Sequence, residues 1–129
     1  MKAGEQVQIN FESDVPIYVQ VAEEIEDAIL SGAFPEETQV PSTTEISVSY
    51  KINPATVLKG MALLTDAGIL YKKRGVGMFV CKGAAGQVLQ KRRQSFYDGF
   101  VVRLLEEAKK LNIEKEELIA MIREEKLKK

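Results

Sequence analysis

The stretch from Val40 to Val80 leaves this chain little freedom of architecture, because it holds two helix starts a dozen residues apart and then a glycine-tipped hairpin. Ser42-Thr-Thr-Glu45 has the Ser-x-x-Glu pattern of a capping box, in which each end residue satisfies a backbone N–H the helix start leaves open. A short helix therefore runs to about Tyr50, with Ile46 facing inward. Asn53-Pro54 is the sharpest boundary in the chain: asparagine caps the free N–H groups and proline has its φ preset for the first helical position. Val57, Met61 and Leu64 then step along one face, and Gly68 closes a helix of roughly 54–67. Ile69–Lys73 and Met78–Lys82 read as two strands around Arg74-Gly-Val-Gly77, whose glycines permit the turn. Helix, turn, helix and basic hairpin together describe a winged helix-turn-helix. The predicted fold class is mainly α with a small β-wing.

The flanks complete three divisions. Residues 1–13 read as an N-terminal tail or edge strand, with loose alternation at Val7, Ile9 and Phe11. Residues 14–82 form the winged helix domain. Its first helix starts with Asp14 as cap and Pro16 in the first turn, carries Tyr18, Val21, Ala22, Ile25 and Ile29 at helical spacing, and ends at Gly32. Residues 83–129 form a helical tail. Gly83-Ala-Ala-Gly86 reads as a linker by composition. Beyond it, Leu89, Phe96, Phe100 and Leu104 keep helical spacing to about residue 110, with Tyr97 and Val101 on a second face. Leu111-Asn-Ile113 breaks the run, and a last helix near 115–127 offers Leu118, Ile119, Ile122 and Leu127. This apolar surface is wider than one neighbouring helix can cover, so the tail is expected to pair with a second copy of the chain. The alternative is that it folds back on its own head.

Composition then excludes classes of function. Of 129 residues none is histidine and one is cysteine, Cys81. The commonest general base and metal ligand is absent, and no disulfide can form within the chain. No phosphate-cradling glycine loop precedes a helix, and Gly75-Val-Gly77 lies in a hairpin. An enzyme is not expected, nor a metal or other cofactor. A lone cysteine fits a reducing cytoplasm. No apolar run reaches the roughly 18–20 residues of a membrane span, and the first residues show no signal-peptide core. The net charge of −1 hides a split. Residues 1–37 hold one basic and nine acidic residues, a net of −8, whereas 38–82 hold six basic and two acidic, a net of +4. Local positive charge is what a phosphate backbone responds to, since salt screens distant charges.

In a helix-turn-helix the second helix enters the major groove and its N-terminal residues meet base edges. Those are Asn53, Ala55, Thr56 and Lys59; Asn53 is read first as a cap. Thr56 offers a hydroxyl to phosphate or a methyl to thymine. Leu58 is out of place on a groove-facing turn and packs on the wing or against a thymine methyl. Ser42, Thr43 and Thr44 sit at a helix N-terminus, whose N–H groups suit a phosphate. Lys51 in the turn neutralises a further phosphate. Lys72, Lys73, Arg74 and Gly75 form a wing that reaches a neighbouring groove. Two heads related by a two-fold axis predict a palindromic site. A winged helix devoted to protein or RNA contact is the rival reading.

Pro-Ile-Tyr-Val-Gln (16–20), Ala-Ile-Leu-Ser-Gly (28–32), Val-Pro-Ser (40–42), Asn-Pro-Ala-Thr-Val (53–57), Asp-Ala-Gly-Ile-Leu (66–70) and Arg-Gly-Val-Gly-Met-Phe-Val (74–80) occur in that order. With them, Pro16–Val80 resembles the DNA-binding domain of the GntR family of bacterial transcription regulators. The Asn-Pro-x-Thr-Val start and the short tail resemble the YtrA subfamily. The resemblance implies a homodimeric repressor of a transporter operon, with a helical dimerisation tail in place of a large effector domain. It departs from many relatives at Thr44, where they carry a DNA-touching arginine, and at Leu58-Lys59, where they often carry two basic residues. No effector is specified.

Overall fold

The computed structural model describes residues 9–124, in two compact units, one running to Leu89 and one beginning at Gln90. Val7 and Leu127 lie outside the described residues.

In the first unit, the head, α1 spans Ile17–Ser31, α2 Thr43–Tyr50 and α3 Pro54–Asp66; β1 is Leu70–Lys73 and β2 Gly77–Val80. The start of α1 differs from expectation. Asp14 makes no cap; Pro16 itself occupies the N-cap position, and its carbonyl accepts from Gln20 N–H at 3.1 Å. Of the tail or edge strand expected over residues 1–13, the described part, residues 9–13, forms a turn clamped by Gln20 and no strand. The Gln20 amide nitrogen donates to the carbonyls of Asn10 and Val15, each at 2.9 Å, and its oxygen accepts from Asn10 N–H at 2.7 Å. A buried amide with all three bonds made holds that segment where a sheet ladder would have been needed. At the far end, Gly32 takes φ 88° and closes α1 as expected.

The head core is one cluster. Val21, Ile25 and Ile29 of α1 meet Ile46 of α2, Val57, Met61 and Leu64 of α3, and Leu70 and Val80 of the wing. Each such side chain contributes about 1.5–3 kcal/mol when fully buried. The helices α1 and α3 meet closely at Gly60, where an added Cβ would sit 2.6 Å from the Tyr18 carbonyl oxygen.

The wing is an antiparallel pair with Leu70 opposite Val80, Tyr71 opposite Phe79, Lys72 opposite Met78 and Lys73 opposite Gly77. Its second strand ends two residues earlier than the sequence suggested: Cys81 N–H still bonds the Ile69 carbonyl at 2.9 Å in register, and the chain then turns at Lys82 and Gly83, with Ala84 N–H on the Cys81 carbonyl at 3.1 Å. The outer edge of β2 is covered by residues 37–40. Val40 N–H donates to Met78 O at 2.9 Å, Val80 N–H to Thr38 O at 3.0 Å and Glu37 N–H to Val80 O at 2.7 Å. An edge covered in this way is not a template for unwanted strand pairing.

Helix α4, Ala84–Phe96, begins where a linker was expected. Ala84 and Val88 are fully buried in the head core, so the small residues after Gly83 are packing residues. In the second unit the chain passes through a π-helical turn, Tyr97–Val101, in which Val102 N–H donates to the Tyr97 carbonyl five residues back. It resumes as α5, Val102–Lys110, and ends with α6, Lys115–Arg123. The α5–α6 corner is a Schellman motif: Asn112 takes φ 60°, its N–H bonds Lys109 O, and Ile113 N–H bonds Ala108 O at 2.9 Å. Ala108 and Leu118 are the buried residues of this hairpin and line a cavity of about 380 Å³ with Leu105 and Ile113. No helix among the described residues is long and apolar enough to cross a membrane.

Candidate nucleic-acid interface

The capping box at the start of α2 forms in full. Ser42 Oγ accepts from Glu45 N–H at 3.0 Å, and Ser42 N–H donates to Glu45 Oε1 at 2.7 Å. Ser42 and Thr44 are exposed, whereas Thr43 is half-buried with its hydroxyl on the Met61 sulfur at 3.5 Å. The α2–α3 turn is set by Lys51, which adopts a left-handed φ of 58° and leaves its side chain exposed. Ser47 closes the turn from beneath, its hydroxyl donating to the Ile52 carbonyl.

At the start of α3 the Asn53 side-chain oxygen accepts from Ala55 N–H at 2.7 Å. A cap of this kind is worth about 1 kcal/mol, and it occupies the acceptor that base reading would use. Beyond the cap one face of α3 is buried at Val57, Gly60, Met61 and Leu64, while Ala55, Leu58 and Lys59 are exposed and Thr56 is half-buried. Lys59 is exposed but not free: its ammonium lies 4.2 Å from the centre of the Tyr18 ring on α1. Such a contact is worth about 0.5–1 kcal/mol at an exposed site.

The wing carries its own support. Gly75 has φ 77° in the turn, and Val76 N–H bonds Lys73 O at 2.9 Å. Gln39 reaches across to the Val76 carbonyl at 2.8 Å and fixes the tip from outside. Tyr71 and Phe79 stack at 5.7 Å, and the Lys73 ammonium lies 4.3 Å from the Phe79 ring centre. Tyr71 donates its hydroxyl to Glu37 at 3.1 Å. Burial first, and then Glu37, push both the Tyr71 hydroxyl and the Cys81 thiol above their ordinary values, so the thiol is not an activated nucleophile. Tyr50 is raised too, by burial and then by Glu24.

The structure thus brings Ser42, Thr44, Lys51, Ala55, Lys72, Lys73, Arg74 and Gly75 to the surface of the head. Among the described residues the ammonium groups of Lys51 and Lys72 and the guanidinium of Arg74 have no carboxylate partner. Nor do any three His, Cys, Asp or Glu side chains there gather as a metal site would require. Three contributors had no sequence signal: Tyr18 as the seat of Lys59, Phe79 as the seat of Lys73, and Gln39 as the brace of the tip. Tyr18 and Gln39 act on partners far along the chain and Phe79 acts across the hairpin, so none of these contacts follows from local spacing.

Of the tail residues, Leu89, Phe96, Tyr97, Phe100, Leu104, Ile119 and Ile122 are exposed and Val101 is partly so, but Leu118 is only 8% exposed and belongs to the hairpin interior. Phe96 and Phe100 face one another with ring centres 5.5 Å apart.

Residues 17–80 match the family described as bacterial regulatory proteins, gntR family. The chain is 33% identical to a solved structure described as a putative transcriptional regulator of the GntR family from Bacteroides thetaiotaomicron, with TM-score 0.73, over 84% of this chain and 94% of that one. It is 27% identical to the HTH-type transcriptional repressor YtrA of Bacillus subtilis, over 84% of this chain and 77% of the repressor. A solved DNA-binding domain of AraR in complex with an operator shares 28% identity and TM-score 0.54, over 58% of this chain and 96% of that one. Some curated relatives are much longer, and the chain spans only 34% and 30% of two of them.

Proposed function

The chain belongs to the gntR family of bacterial regulatory proteins, and on that basis we propose that it is a sequence-specific DNA-binding transcription regulator, a repressor acting in the cytoplasm as a homodimer on a palindromic operator. The observation that carries this reading is the outer face of the head. A capped helix with its core side buried leaves Ala55, Leu58 and part of Thr56 outward, beside a braced wing whose Lys72 and Arg74 have no carboxylate partner among the described residues. That pairs a base-reading edge with a phosphate-reading edge. The likeness to an operator-bound AraR domain supports the same assignment. On this reading the winged helix of residues 14–82, closed by the buried start of α4, holds DNA, and the exposed apolar residues from Leu89 onward hold the second copy.

The test is a titration of the full chain against a duplex enriched from a random-sequence pool, with scrambled competitor, at two salt concentrations. Specific retention is expected to weaken with salt, and Thr56→Ala is expected to weaken it by about tenfold, one hydrogen bond of about 0.7 kcal/mol being lost in each of two heads. Binding that ignores sequence, or an unchanged affinity for Thr56→Ala, would favour a protein- or RNA-contact module.

The second copy is supported by the exposed aromatic pair Phe96 and Phe100, the latter 67% exposed. Aromatic rings left in water next to other exposed apolar residues mark an interaction face. Phe100→Ala is expected to raise the dimer dissociation constant by about a hundredfold or more, from the lost burial of one ring on each copy. Sedimentation equilibrium reads this directly, and a monomeric wild-type sample at micromolar concentration would remove the dimer from the proposal.

A further inference from the structure

We infer that Leu58 is a specificity-determining residue that reads thymine through its C5-methyl group, so that the base preference of α3 is in large part a methyl preference. The inference rests on the reading of α3 as the helix that enters the major groove.

The groups that usually read bases are missing or engaged. Guanine is read by a bidentate arginine or lysine and adenine by a bidentate asparagine or glutamine. Pro54–Asp66 contains no arginine, asparagine or glutamine, and its one lysine, Lys59, holds its ammonium over the Tyr18 ring. Asn53 beside it has given its acceptor oxygen to Ala55 N–H. Outward the helix offers Ala55, Leu58 and Ala62 at spacings of three and four, an uncharged line flanked on one side by Lys59 and Leu63 and bordering, on the other, a hollow that Leu58 shares with Met61, Lys72 and Met78. Leu58 is the one large side chain in that line and is 60% exposed.

A leucine in water on a helix that already buries Val57, Met61 and Leu64 adds nothing to the core. In the major groove it meets the one apolar feature that any base edge carries. Thymine alone presents a methyl there, and apolar contact with that methyl is an established mode of direct readout. An apolar contact releases no counterions. Discrimination by methyl should therefore be independent of salt even though overall affinity falls steeply with it.

The experiment uses the full chain and a duplex enriched from a random-sequence pool. Each thymine is replaced singly by deoxyuridine, which removes the methyl and leaves every hydrogen-bonding group in place, and affinity is read by fluorescence anisotropy at two salt concentrations. One or two thymines in each half-site are expected to lose about fourfold on replacement, the value of one buried methyl-sized group, with the same ratio at both salts. In Leu58→Ala the ratio at those thymines is expected to fall to about one, with the melting temperature unchanged because the side chain is exposed. A flat deoxyuridine scan on an enriched duplex overturns the inference while leaving DNA recognition intact. So does a scan that Leu58→Ala does not alter. Failure of the pool to enrich at all removes DNA recognition and this inference together.

Discussion

Gly60→Ala is expected to lower the melting temperature of the head by about 10 °C. The added Cβ would lie 2.6 Å from the Tyr18 carbonyl oxygen and 3.1 Å from both Cβ and Cγ1 of Val21. Real Cβ atoms do not come that close, and the nearest obstacle is backbone of α1, which has no rotamer to adopt. Inserting a carbon into a packed interior costs up to about 3 kcal/mol. Alanine returns about 1 kcal/mol because it forms helix better than glycine. The clash wins, leaving a net loss of about 2 kcal/mol, and for a head of this size each kcal/mol moves the midpoint by about 4–8 °C. Gly86→Ala in α4 is the matched control, since its added Cβ meets nothing within 4 Å; it is expected to melt with or slightly above the wild-type protein. Circular dichroism melts of the two variants decide the matter. A Gly60→Ala protein as stable as its parent would mean that α1 and α3 are not in backbone contact.

The second large effect lies in the wing. Lys72→Ala combined with Arg74→Ala is expected to weaken operator binding by between about a hundredfold and a thousandfold near physiological salt, and to flatten its salt dependence. Two heads would lose four phosphate contacts. Each is worth about 0.9 in the slope of log affinity against log salt, so the slope becomes less negative by about 3.6. The size of this effect follows from the two side chains having no carboxylate partner among the described residues, so that no internal ion pair has to be broken for DNA to recruit them. Lys73 is left in place because its ammonium already rests on Phe79. Anisotropy titrations between about 50 and 200 mM salt cover the range over which such slopes are read. A slope unchanged by the double substitution would identify these cations as a solvated edge that takes no part in binding.

Features written within a few residues were legible in the sequence. The capping box Ser42–Glu45, the Asn53 cap before Pro54, the glycine closing α1 and the break at Leu111-Asn-Ile113 all formed where the residues indicated, because each is decided by groups at most five positions apart. The winged helix architecture followed from their order. What depended on distant neighbours was not legible. Asp14 had the chemistry of a cap, yet the chain kept Pro16 at that position and anchored the preceding turn through Gln20. Gly83–Gly86 had the composition of a linker, but Ala84 and Val88 fit a gap in the head core that only the folded chain defines. Gly60 carried no signal because its importance is set by Tyr18, forty-two residues away. Among the candidate contacts, the exposed backbone-binding positions could be named from spacing. The seating of Lys59 and Lys73 on aromatic rings could not.

The π-helical turn at Tyr97–Val101 has a consequence for the tail. The turn's hydrogen bond spans five residues where the α-helix spans four, so it takes roughly one residue's angle, about 100°, out of the count. Eight residues of plain α-helix would set Phe96 and Leu104 about 80° apart, whereas with one residue absorbed they fall within about 20° of one line. The tail's apolar covering is thereby pulled taut along the axis and does not wind around it. A second copy lying lengthwise along that line meets both side chains at once, so the surface favours a partner that runs nearly alongside it.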